Sequence, residues 1–154
     1  PVAITHANAR VFFDHVRNKT DTALQLLAER GGVIGANAFP SFLRRGFEST
    51  LADYVDAIED LIERVGIDHV GIGTDYTQDQ PASFFDWLFA QQGTKFGVRG
   101  EPFPDPLIHP QGMETPDRLS NVTGELLRRG YRPEEVTKIM GGNWLRLFQA
   151  VWEA

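Results

Sequence analysis

Three short apolar runs, Val2 to Thr5, Gly32 to Phe39 and His69 to Thr74, constrain this chain more than any other feature. Each is partly β-branched and lacks polar alternation, the pattern of a strand covered on both faces. The stretches between them are amphipathic. Asp21 to Arg30 places Leu24, Leu27 and Ala28 on one helical face, with Thr20 or Asp21 as cap and Gly31 as stop. Thr50-Leu51-Ala52-Asp53 is a capping-box sequence. It opens a helix with Leu51, Tyr54, Val55, Ile58, Leu61, Ile62 and Val65 at helical spacing, closed by Gly66.

Buried-type strands alternating with amphipathic helices predict parallel βαβ units, hence an α/β fold. Three such strands fit an open sheet or part of a (β/α)8 barrel. In both folds, chemistry gathers where the strands end. The positions to inspect are therefore His6 and Asn8, Asn37 to Phe42, and Asp75 to Asp79. Further along, a helix is expected from Thr115-Pro116 to Gly130 and a short one from Pro133. A last helix from about Asn143 is expected to bury Leu145, Phe148, Val151 and Trp152, after a break at Gly141-Gly142. The connection from Tyr76 to Thr115 is long for a structured domain, and Phe84, Phe85, Trp87, Leu88 and Phe89 are compatible with a short helix within it.

The 154 residues carry a net charge of −6 with basic and acidic residues interspersed, which argues against nucleic acid as the partner. No apolar run approaches the ~20 residues that span a bilayer. Disulfides and thiolate metal sites are excluded by the lack of cysteine, which leaves the redox compartment open. The chain opens at Pro1 inside a strand-like stretch, without an initiator Met, so it is expected to be a piece of a longer polypeptide.

His6 ends the first strand, where an imidazole is presented rigidly and suits zinc. A lone histidine at such a place is more often bonded to a neighbouring loop. Asp75 ends the third strand, where a carboxylate can take a proton from metal-bound water and return it to a leaving amine; capping a turn is the rival role. Arg17, eleven positions after His6, has the fork to grip a substrate carboxylate, although arginines of this kind more often face solvent or pair with an acid such as Asp14. His15 reads as ordering its loop, and His69 sits at the wrong end of its strand. His109 reaches the site only if its Pro-rich loop folds over it. The pairs Arg44-Arg45 and Arg128-Arg129 read as solvated faces.

The segments PVAITHANAR, DHVRN, GGVIGANAFPSF, GIDHVGIGTDY, ELLRRGY and GGNWLRLFQAV, in this order, resemble the C-terminal half of membrane (renal) dipeptidases, zinc peptidases of the amidohydrolase superfamily. The resemblance covers nearly the whole chain. It implies strands six to eight of a (β/α)8 barrel with their helices, plus C-terminal helices, as a single partial domain over residues 1–154. His6 then corresponds to a ligand of the second metal, Arg17 to the arginine that holds the dipeptide's free carboxylate, and Asp75 to the aspartate that bonds the attacking water and protonates the leaving amine. Phe42 falls where an aromatic ring lines the substrate pocket. Two Zn2+ ions, about 4 Å apart and bridged by a carboxylate and a hydroxide, are implied for the intact enzyme, with dipeptides as substrates.

Two departures from the family pattern carry expectations of their own. The family's His-x-Asp pair, bridging Glu and strand-five His all precede Pro1, so this segment alone is expected neither to hold the metal pair nor to cleave peptides. Three parallel strands also leave open edges, so the N-terminal half of the barrel is expected in the same polypeptide or a companion chain. The 76–115 connection is longer than the family's. It reads as a lid over the pocket, or as a surface for a second subunit in a homodimer. Two other functional readings stay open: a catalytically silent barrel that binds a peptide or partner, and an amidohydrolase acting on another small amide. The compartment is open between periplasmic or exported and cytoplasmic.

Overall fold

A computed structural model describes residues 1–77, 79–90 and 109–153. Its centre is a parallel three-stranded sheet in the order β1 (Ala3–Ile4), β2 (Val33–Ala36), β3 (Val70–Ile72). Ala3 pairs with Val33, and Ile34, Gly35 and Ala36 pair with Val70, Gly71 and Ile72. All three strands are shorter than the apolar runs that announce them. Beyond the ladder, Ala7 N–H still donates to Gly35 O and Gly73 N–H to Ala36 O, so the strand ends stay together as they leave the sheet. Gly35 and Gly73 make this possible. Their α-carbons oppose each other beneath the Thr5 carbonyl, and a Cβ on either would overlap that oxygen.

Helix α1 (Asp21–Glu29) is capped by Thr20 and buries Leu24 and Leu27. The longer α2 (Leu51–Val65) has the full capping box between Thr50 and Asp53 and buries Tyr54, Val55, Ala57, Ile58, Leu61 and Val65. Its Tyr54 hydroxyl, fully buried, donates to Ala36 O at 2.9 Å and pins the helix to the end of β2. In the long connection, α3 (Ala82–Phe89) forms over the aromatic run. Residues 91–108 of the expected lid lie outside the described residues. The next helix begins as a 3-10 turn at Pro116–Leu119 and continues as α4 (Ser120–Arg128). After α5 (Pro133–Thr137) the chain kinks at Gly141 and enters α6 (Asn143–Trp152). One core joins the sheet with α1, α2, α4 and α5, with Leu24, Ile34, Tyr54, Ile58, Leu61 and Ile139 deep inside.

Two expectations fail. Leu145 and Trp152 are 64% and 76% exposed, and Phe148 and Val151 are also exposed. Helix α6 instead turns Asn143, Trp144 and Leu147 inward. Asn143 Nδ2 donates to Ile67 O and Val70 O, and Trp144 Nε1 to Ile72 O. These bonds satisfy carbonyls that would otherwise be buried alone, and they decide which stripe faces the sheet. The outward stripe forms a ladder, Phe148 stacking on Trp144 at 6.2 Å and on Trp152 at 4.9 Å. The second failure is Arg129, whose side chain is only 17% exposed. It binds Glu125 on α4, Asp56 and Glu59 on α2, and the Ala52 carbonyl, tying the two helices together.

Candidate active site

Because the strands are parallel and in register, the segments that follow them leave one edge of the sheet together. Side chains of His6, Arg17, Phe42 and Asp75 line a single cleft of about 500 Å³, with Phe39, Thr77, Phe85 and Leu88 completing it. That volume suits a small ligand. The four residues singled out from sequence thus come together; Arg17 is exposed at the cleft rim, as the solvent-facing alternative has it, and among the described residues it makes no ion pair with Asp14.

The guanidinium of Arg17 lies 3.2 Å from His6 Nε2 and 5.5 Å from the centre of the Phe42 ring. Its loop is ordered locally. The Arg17 N–H donates to His15 Nδ1, and the His15 ring sits 4.7 Å from Phe42. His15 therefore orders the loop, as its position suggested. Burial holds its pKa below the ordinary histidine value, and the neighbouring Arg17 and Arg10 charges push the same way.

Beneath this rim lies a buried asparagine network that local patterning could not assign. Asn8 accepts from Asn37 N–H at 2.9 Å and donates to the Asn37 and Phe42 carbonyls. Asn18 accepts from Asn8 N–H and donates to Phe13 O, while Asn37 accepts from Phe39 N–H. Three side chains therefore satisfy the backbone of two loops and fix where Arg17 and Phe42 emerge.

Asp75 has φ 58°, a left-handed conformation that a non-glycine residue holds at a cost of roughly 1–3 kcal/mol. Its turn is gripped from below. Tyr76 Oη donates to Met113 O at 2.7 Å, and Thr77 N–H donates to His109 Nε2 at 3.4 Å. His109 itself packs beside the site, only 3% exposed with its ring edge-on to Tyr76 and Phe39. Burial lowers the pKa of His109, opposed by the charge of Asp75. Burial also pushes the Tyr76 phenol up to about 12.

His69 lies at the far end of β3, where its Nδ1 bonds Gly32 O. It lines a second concavity with Asp68, Lys138, Asn143 and Arg146. The charged groups there are already used: Lys138 pairs with Asp68 at 2.6 Å, and Arg146 donates to the Gly31 and Asp68 carbonyls. That end is structural, as barrel bottoms usually are.

The model of the membrane dipeptidase family (peptidase family M19) matches residues 1–91 and 85–154. Dipeptidase tcpJ of Claviceps purpurea is 30% identical over 98% of this chain and 29% of its own length, and Dipeptidase 3 of Rattus norvegicus is 30% identical over 98% and 25%. An amidohydrolase from Pseudomonas aeruginosa superposes with TM-score 0.91 at 37% identity, covering 100% of this chain and 46% of that one. A metallo peptidase from Rhodobacter sphaeroides, liganded with a phosphinate mimic of the dipeptide L-Ala-D-Ala, superposes with TM-score 0.72 at 26% identity, covering 97% of this chain and 36% of that one. The chain thus spans a quarter to just under half the length of these relatives, and its three strands are the C-terminal part of a (β/α)8 barrel. On the family match over its whole length, this chain belongs to the membrane dipeptidase family, peptidase family M19.

Proposed function

We propose that the full-length protein is a metal-dependent dipeptidase in which this chain supplies the carboxylate clamp, the proton-transfer group and one metal ligand. The observation that carries the reading is the convergence of Arg17, His6 and Asp75 on one cleft. Arg17, its plane set by Phe42, takes the free carboxylate of the dipeptide through paired charge-assisted hydrogen bonds. Asp75 holds the proton that the leaving amine needs. His6 offers Nε2 to a metal ion.

The donors of this chain do not by themselves fit a metal pair. His6 contributes one nitrogen, and among the described residues no group of three or more His, Cys, Asp or Glu is placed to hold an ion. Zinc usually takes four ligands. The others are assigned to the rest of the barrel, in the same polypeptide or a companion chain. That part would pair with the outer edges of β1 and β3 and give the exposed α6 stripe a covering layer. We assign the 76–115 connection as a lid, since α3 brings Phe85 and Leu88 to the cleft.

A turnover panel on the metal-loaded full-length protein tests the reading, comparing dipeptides with N-acylated and lactam substrates. Hydrolysis confined to dipeptides supports it. Preference for a lactam or N-acyl compound assigns the other amidohydrolase activity, and binding of dipeptides without turnover assigns a silent barrel.

A further inference from the structure

His109 is the buried group that the site chemistry above leaves without a role. Its Nε2 faces the Thr77 N–H at 3.4 Å and the Thr77 hydroxyl at 3.5 Å, and its Nδ1 has no partner among the described residues. A backbone N–H can only donate, so Nε2 is the acceptor and the neutral ring carries its proton on Nδ1. Tyr76, between Asp75 and Thr77, packs its ring 4.9 Å from the imidazole, and its hydroxyl bonds Met113 four residues beyond His109. On the other side the imidazole meets Phe39 at 6.4 Å, a wall of the cleft. His109 and Met113 thus hold the turn after β3 by a backbone N–H, a phenol and a ring face. That turn contains Asp75 in its left-handed conformation. Such a backbone persists only where its surroundings over-determine it.

We propose that His109 is a positioning residue: by accepting from Thr77 it locks the turn that aims Asp75 into the cleft. The proposal rests on the dipeptidase reading for its catalytic consequence and on the geometry alone for its structural one. Burial keeps the imidazole neutral near pH 7, so the acceptor is available under assay conditions.

Two substitutions separate the hydrogen bond from the packing. His109→Phe keeps a flat ring against Tyr76 and Phe39 but has no acceptor, whereas His109→Gln loses the ring and offers an amide oxygen toward Thr77. Both are made in the full-length protein, assayed on a panel of Ala-X and X-Ala dipeptides, and crystallised. The expected result is a tenfold or greater loss of kcat in His109→Phe at little-changed KM, recovery to within about threefold of wild type in His109→Gln, and φ of Asp75 leaving the left-handed region only in the Phe variant. In an Asp75→Asn background His109→Phe should cost nothing further, because it acts through Asp75. Retained kcat and φ in His109→Phe, or equal damage in both variants, overturns the proposal. If the phenyl ring prevents folding, His109→Leu takes its place as the acceptor-free side chain. A wild type silent on the whole panel refutes the dipeptidase reading, and the Asp75 φ comparison then decides the positioning role by itself.

Discussion

The guanidinium of Arg17 and Nε2 of His6 stand 3.2 Å apart, and in that pair only the arginine can donate. Nε2 therefore carries the lone pair. Nδ1 carries the proton and directs it to Thr5 Oγ1 at 2.8 Å. The imidazole is held in the tautomer that presents the Nε2 lone pair to the guanidinium.

Arg17 and His6 should accordingly act oppositely on metal. In the full-length protein His6→Ala is expected to weaken zinc by at least roughly 10–100-fold, the loss seen even for residues that merely support ligands. Arg17→Ala should leave affinity unchanged or higher, because it removes a competitor for Nε2. Titration against a competing chelator reads both values, and weaker zinc in Arg17→Ala would contradict this geometry.

Asp75→Asn keeps size and left-handed tolerance but cannot give or take the proton. Turnover is expected to fall roughly 10²–10⁴-fold with KM within a few-fold of wild type. Steady-state kinetics suffice, and a loss confined to KM would remove Asp75 from proton transfer.

Tyr54→Phe deletes the hydroxyl that serves the Ala36 carbonyl in the core. The expected cost is about 1 kcal/mol, that of one buried hydrogen bond, since the Ala36 carbonyl keeps its bond from Gly73 N–H. Denaturant midpoints at unchanged slope measure it.

Acid should loosen α4 from within. Hydrogen bonds from Arg128, then Arg129, hold Glu125 down at about 2. A carboxylate with a depressed folded-state pKa contributes stability above its unfolded value, near 4.5, and loses it as pH falls toward 2. Glu125→Gln should therefore destabilise the protein at neutral pH, by no more than about 1 kcal/mol after solvent screening, and converge on wild type as pH falls through about 2. Melting curves across that range test the sign.

Much of this fold was legible because its signals are local. The capping box at Thr50 and Asp53, the apolar face of α2 and the strand runs each reflect neighbours a few residues apart. Positions following strand ends were legible for the same reason, since parallel pairing brings them to one edge. What was hidden depends on distant partners. Arg129 is buried by acids 70 and 73 positions away, and α6 is oriented by carbonyls of residues 67, 70 and 72. Asn8, Asn18 and Asn37 are ordinary loop residues until folding closes them on one another. His109 was visible only as a histidine in a Pro-rich loop; the Thr77 and Tyr76 contacts that give it meaning span 32 and 33 positions.

The clamp assigned to Arg17 is tested most directly by comparing one dipeptide with its C-terminal amide on the full-length enzyme, in wild type and Arg17→Ala. A strong wild-type preference for the free acid, abolished in the variant because kcat/KM falls about a hundredfold for the acid and hardly at all for the amide, is the expected result. Equal losses on both substrates, or none on either, would show that no carboxylate is bound there.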